Sequence, residues 1–134
     1  MTSPFLQKAE TGVKSAKMLL DAGDTDGACS RAYYAMYDAA RACLSWAEVA
    51  PARGEFKTHH GLTSAFFQHL VKTGLFPIAT GGAIQRAMAL RQIADYEASP
   101  VPHSDAVKTI SDAESFVSTA AALVASLYRP PSAF

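Results

Sequence analysis

Ser30-Arg31-Ala32-Tyr33-Tyr34-Ala35-Met36-Tyr37-Asp38-Ala39-Ala40-Arg41 is the stretch whose reading decides the fold. Alanine, methionine and arginine favour helix, and neither glycine nor proline interrupts the run. At about 100° per residue, Cys29, Ala32, Met36, Ala39, Ala40, Cys43 and Ala47 share one side. Arg31, Tyr34, Asp38, Arg41, Ser45 and Glu48 share the other. Small residues on the apolar side allow a neighbouring helix to approach closely. Arg31, Tyr34 and Asp38 stack at spacings of three and four, so they can touch. This polar line is either a solvated face or a contact surface for a ligand or a second copy of the chain.

Working outward, every other segment also reads as helix. Ser3-Pro4 starts the first, with serine at the N-cap and proline at the first helical position. Phe5, Ala9, Val13, Ala16 and Leu20 form its apolar face, and Gly23 stops it. Asp24 or Asp26 caps the second helix, which runs to about Val49, and Pro51 and Gly54 mark a loop. Thr58 opens a third helix through Leu62, Ala65, Phe66, His69 and Leu70. Gly74, Pro77 and Gly81-Gly82 break the chain before a fourth, from about Ala83 to Ala98. Pro100 and Pro102 end that one. Ser104 starts the last, striped by Val107, Ile110, Ala113, Val117, Ala120, Val124 and Leu127. No strand-like alternation is present. The expectation is one all-α domain over residues 1–128, an antiparallel up-and-down bundle of four to five helices, followed by a flexible tail at 129–134.

Composition narrows the function. The 134 residues suffice for one buried core, and twelve basic residues balance twelve acidic ones. Bulk charge therefore does not demand nucleic acid, although a local basic patch can still supply a site. Cys29 and Cys43 lie about 21 Å apart if they share one helix, beyond disulfide reach. They read as small core residues of a reduced, cytoplasmic protein. No apolar run has the length of a membrane span, and no signal-peptide pattern opens the chain. No metal-ligand spacing and no nucleotide-binding glycine loop occur, so no metal and no cofactor is expected.

The fourth helix carries the sharpest anomaly. Ala83, Ile84, Ala87, Met88, Leu90 and Ala94 make an apolar arc, and Arg91 and Asp95 fall near its middle. A charge pair there would be desolvated, which rarely stabilises a fold. It is either a structural pair that fixes register or a site facing a groove or a dimer interface. Tyr96 lies to one side of the arc. Among the histidines, His59 and His60 begin the third helix, where the helix dipole disfavours a proton on imidazole. His69 reads as packing and His103 as loop or cap.

Three blocks in order carry a family resemblance: the Ser30–Arg41 run, Lys57-Thr58-His59-His60-Gly61-Leu62, and Leu90-Arg91-Gln92-Ile93-Ala94-Asp95-Tyr96. Together they resemble the small prokaryotic HEPN-domain proteins. The resemblance implies a bundle that pairs face to face as a homodimer. It also implies work beside a nucleotidyltransferase partner, in toxin–antitoxin or defence systems that bind nucleotide or RNA. Catalytic relatives are metal-independent ribonucleases with an arginine followed, after four to six residues, by a histidine. Arg91 matches that arginine. Asp95-Tyr96 occupies the region of the histidine, so the motif is not intact. Arg91, Asp95 and His59 are the candidate catalytic residues, His59 or His60 supplying a base from another helix. Arg31, Tyr34, Tyr96 and His60 are the candidate ligand or interface residues. In some relatives the partner modifies a tyrosine beside the motif, and Tyr96 stands at that place. The leading reading is a binding homodimer. An active ribonuclease toxin and a purely structural interaction bundle are the alternatives.

Overall fold

The computed structural model describes residues 3–49, 56 and 58–126. Five helices carry the fold among them: α1 (Pro4–Asp21), α2 (Thr25–Trp46), α3 (His59–Phe66), α5 (Ala83–Tyr96) and α6 (His103–Ala125). A π turn at Phe67–Val71 prolongs α3, and a single four-residue turn, α4 (Ile78–Gly81), precedes α5. No strand occurs among the described residues, as the all-α reading expects. The loop at Pro51 and Gly54, the Leu127 end of the last stripe and the tail from Arg129 lie outside those residues.

The boundaries follow from local chemistry. Gly23 ends α1 at φ 86°, a left-handed conformation that a residue without Cβ adopts freely. Asp24 caps α2, its Oδ1 accepting from the Gly27 amide at 2.8 Å. Asp26 does a different job: its Oδ1 accepts from the Val101 amide at 2.8 Å, tying α2 to the segment that enters α6. Thr58 caps α3 by accepting from the Gly61 amide, also at 2.8 Å. Ser3 stands at the N-cap of α1 but makes no side-chain bond; Pro4 alone sets that start.

Helix α2 is the central element, packed on by α1, α3, α5 and α6. Burial therefore wraps almost around it, taking in Ala28, Tyr33, Ala35, Ala42, Leu44 and Trp46 as well as the expected apolar side. The two-sided division read from the wheel is corrected to this extent, because a wheel shows which residues share a face but not how many neighbours cover the helix. Helix α1 packs tightly on α2, where a Cβ added to Gly12 would lie 3.2 Å from the Ala35 Cβ. Within the main core, Phe66, Phe76 and Phe116 interlock with ring centroids 4.9–5.4 Å apart. Phe116 lies beside the stripe read for α6 and is fully buried, whereas Val107 on that stripe is 45% exposed.

Candidate functional site

The placement of Arg91 follows from how α5 is covered. Ala83, Ile84 and Ala87 of that helix are buried, and further along Leu90 and Ala94 are half-buried against a small second cluster of Cys29, Val101 and Ala106. Arg91 is half-buried at this edge, one turn after Ala87 on the face toward α2. Asp95, a turn further, is exposed. The Arg91–Asp95 pair is accordingly loose, at 3.9 Å, with 58% of the Asp95 side chain in solvent. The expectation of a desolvated ion pair is thus overturned: the apolar arc continues through half-buried Leu90 and Ala94, but Asp95 beside it faces solvent. An exposed pair of this kind contributes little to stability and releases its arginine easily.

What Arg91 does meet is aromatic. Its guanidinium carbon lies 5.2 Å from the Tyr34 ring centroid and 5.7 Å from that of Tyr33, within cation–π range. His59, the first residue of α3, completes the group. Its ring centroid is 5.6 Å from those of Tyr33 and Tyr34 and 4.6 Å from that of Tyr37. Tyr33 Oη and His59 Nδ1 are 2.9 Å apart, a hydrogen bond between α2 and α3. The tyrosines come together because positions 33 and 37 are one turn apart and 34 is adjacent. The Thr58 cap fixes where α3 begins and hence where His59 sits.

The electrostatics keep this cluster in a defined protonation state. Burial and the nearby Arg91 charge both hold the His59 imidazole below its ordinary value, so it is neutral at pH 7. Burial, with the neighbouring tyrosines Tyr37 and Tyr34, pushes the Tyr33 phenol up to about 12, so it keeps its proton. Fixed cation, neutral imidazole and protonated phenol therefore share one edge of the bundle. Neutral His59 has one ring proton, and the Tyr33 contact decides where it sits. If Nδ1–H donates to Tyr33 Oη, Nε2 is left as a base; if Tyr33 donates, Nε2–H is left as a donor.

The fold thus joins Arg91, His59 and Tyr34 and adds Tyr33 and Tyr37, which the sequence reading had placed only on the helix. It does not add the rest. His60 is exposed on α3, and Tyr96, 89% exposed, is the last residue of α5. Arg31 lies on the outer face of α2, in the groove against α1. His103 is exposed at the start of α6, and His69 is half-buried in the π turn. Among the described residues, no three His, Cys, Asp or Glu side chains gather as a metal site, and no helix is long and apolar enough to cross a membrane.

Comparison with known proteins agrees with this architecture. Residues 2–126 match the HEPN domain. A UPF0332 protein of Gloeobacter violaceus is 35% identical over 92 residues, 69% of each chain. Another UPF0332 protein, from Archaeoglobus fulgidus, is 34% identical over 116 residues, 86% of this chain and 88% of its own. A Methanocaldococcus jannaschii protein named as a candidate toxin is 30% identical over 113 residues, 84% of this chain and 81% of its own.

Proposed function

The chain belongs to the HEPN domain family, and from that premise we propose that it is a toxin-type protein whose Arg91–His59–tyrosine cluster engages an RNA phosphodiester. The observation that carries this reading is the seating of Arg91 and His59 on one tyrosine platform from two different helices. A phosphate is the natural ligand of a guanidinium held this way. Arg91 offers planar N–H donors, and its competing carboxylate, Asp95, is exposed and 3.9 Å away.

The same groups suffice for cleavage without a metal. With the Nδ1–H tautomer, His59 Nε2 takes the proton of the ribose 2′-hydroxyl. The 2′-oxygen attacks phosphorus and the 5′-oxygen leaves, protonated by the imidazolium or by solvent. The products are a 2′,3′-cyclic phosphate and a 5′-hydroxyl end. Arg91 stabilises the charge that builds on the phosphoryl oxygens. His59 thereby stands in for the histidine missing after Arg91. A second reading, binding without cleavage, is favoured by the protonated Tyr33 phenol: if it donates to Nδ1, His59 has no free base and serves as a donor to phosphate.

In either reading the protein acts as a homodimer beside a nucleotidyltransferase partner. Exposed Ile93 and Tyr96 on the outer turns of α5, on the side away from Arg91, offer an apolar surface to a second copy. The exposure of Tyr96 equally suits modification by the partner, which co-expression and a mass shift on that tyrosine would reveal. The decisive experiment for the cluster is incubation of purified protein with RNA in excess chelator. Cyclic-phosphate ends that vanish in Arg91→Ala and His59→Ala establish cleavage. RNA bound but uncut, with binding lost in Arg91→Ala, establishes the binding reading. RNA neither bound nor cut removes both.

A further inference from the structure

Tyr34 and Tyr37 have a second side. They also line an open groove between α1 and α2, about 640 Å³ in volume, whose other walls include Lys8, Arg31, Asp38 and Arg41. That volume falls within the usual range for ligand clefts, about 300–1,000 Å³. The groove begins where the cluster ends, since Tyr37 is the nearest ring to His59 at 4.6 Å.

Its charge is lopsided. Three cations surround one carboxylate, the half-buried Asp38, and all three act on it electrostatically. Arg41 is partly committed: its guanidinium lies 4.1 Å over the Phe5 ring and 4.0 Å from Asp38. Lys8 and Arg31 are exposed and form no ion pair within 4.0 Å among the described residues. The whole chain is neutral, so a net positive groove is a local arrangement rather than a reflection of bulk composition.

We propose that the α1–α2 groove is a track for single-stranded RNA, holding nucleotides that flank the phosphodiester engaged by Arg91. Tyr34 and Tyr37 offer ring faces and edges to unpaired bases, while Lys8 and Arg31 take the flanking phosphates. Aromatic rings beside cations are how proteins hold single strands without reading sequence, because every base has a stacking face and every linkage a charge. A duplex has its bases already stacked and gains nothing from the tyrosines. A mononucleotide supplies one base and one phosphate group, too few to engage Arg91 and the flanking cations Lys8 and Arg31 together. The proposal rests on the RNA reading of the Arg91 cluster and adds substrate form and path.

The test is fluorescence anisotropy with a labelled oligoribonucleotide of about eight residues in chelator, compared with its duplex and with AMP. The wild-type protein is expected to bind the single strand at least tenfold more tightly than either competitor. Lys8→Glu/Arg31→Glu should weaken binding by tenfold or more and lower the slope of log affinity against log salt by about 1.4, at roughly 0.7 per phosphate contact. Asp38→Asn, which removes the one opposing charge, should tighten binding. Unchanged melting temperatures confirm that each variant is folded. If Arg91→Ala abolishes binding while the Lys8/Arg31 double variant binds like wild type, the groove proposal is overturned and the cluster reading survives. Equal affinity for duplex, or binding of AMP as tight as of the oligomer, also overturns it. If the wild-type protein binds none of the three probes, both fall together.

Discussion

Among the described residues, two aromatic clusters have similar ring spacing and different surroundings. Phe66, Phe76 and Phe116 meet at 4.9–5.4 Å, each no more than 1% exposed, with no polar atom among the side chains. Tyr33, Tyr34, Tyr37 and His59 meet at 4.6–6.4 Å, but only Tyr33 is buried and a guanidinium lies against them. The first is part of the main core and excludes water. The second stands at an edge where the packing of α5 thins. Ring geometry is therefore no guide to role; what the rings are left facing is.

The comparison breaks most visibly at the phenylalanine cluster. Phe116→Ala should cost about 3–5 kcal/mol in chemical denaturation, the range for truncating a fully buried phenylalanine. A loss under about 1 kcal/mol would mean that this cluster is not the closed core described. At the tyrosine cluster the matching change is gentler. Tyr33→Phe keeps the ring and removes one hydrogen bond, for about 1 kcal/mol or less. It should nonetheless cut RNA binding or cleavage severalfold, because His59 loses the partner that fixes its ring. Equal losses of stability and function would make the two clusters alike.

The smallest effect is electrostatic. His59 is held below the ordinary histidine value of about 6.5 in the folded state and returns to it on unfolding. Between those two values the unfolded chain binds the extra proton. The contribution of His59 to stability is therefore complete above about pH 6.5 and is lost as pH falls through the folded value. Melting temperature should drop more steeply below pH 6.5 in the wild type than in His59→Gln. Parallel curves would remove the burial and the Arg91 charge as causes.

How far this was legible in the sequence differs between the two clusters. Helix number, order and the caps at Asp24 and Thr58 were readable because alanine-rich periodicity, Asp24, Thr58 and Gly23 act locally, whereas Ser3 makes no capping bond and α6 starts at His103 rather than Ser104. Phe116 was not singled out, since it sits beside the α6 stripe and is buried only because α3 and the segment carrying Phe76 fold back over it. The π turn and α4 likewise depend on that return. Arg91, Tyr34 and His59 could each be picked out by residue type, but their meeting is a product of three helices. A helical wheel treats coverage as uniform along an element. Coverage of α5 thins after its first half, where Leu90 and Ala94 are only half-buried, which is why Asp95 is a surface residue and Arg91 an edge residue. The three-tyrosine run was the available signal for Tyr33 and Tyr37.

The central claim is that Arg91 and His59 form one phosphate-binding unit. Imidazole ¹⁵N NMR of His59, titrated with and without a cleavage-resistant 2′-deoxy-substituted oligonucleotide, tests it most directly. The account predicts a neutral ring titrating below the ordinary value in the free protein, a shift upward on binding as phosphate neutralises Arg91, and a similar upward shift in Arg91→Ala without ligand. The tautomer at neutral pH would assign His59 as base or donor. A His59 resonance that ignores both the oligonucleotide and the loss of Arg91 would contradict the account.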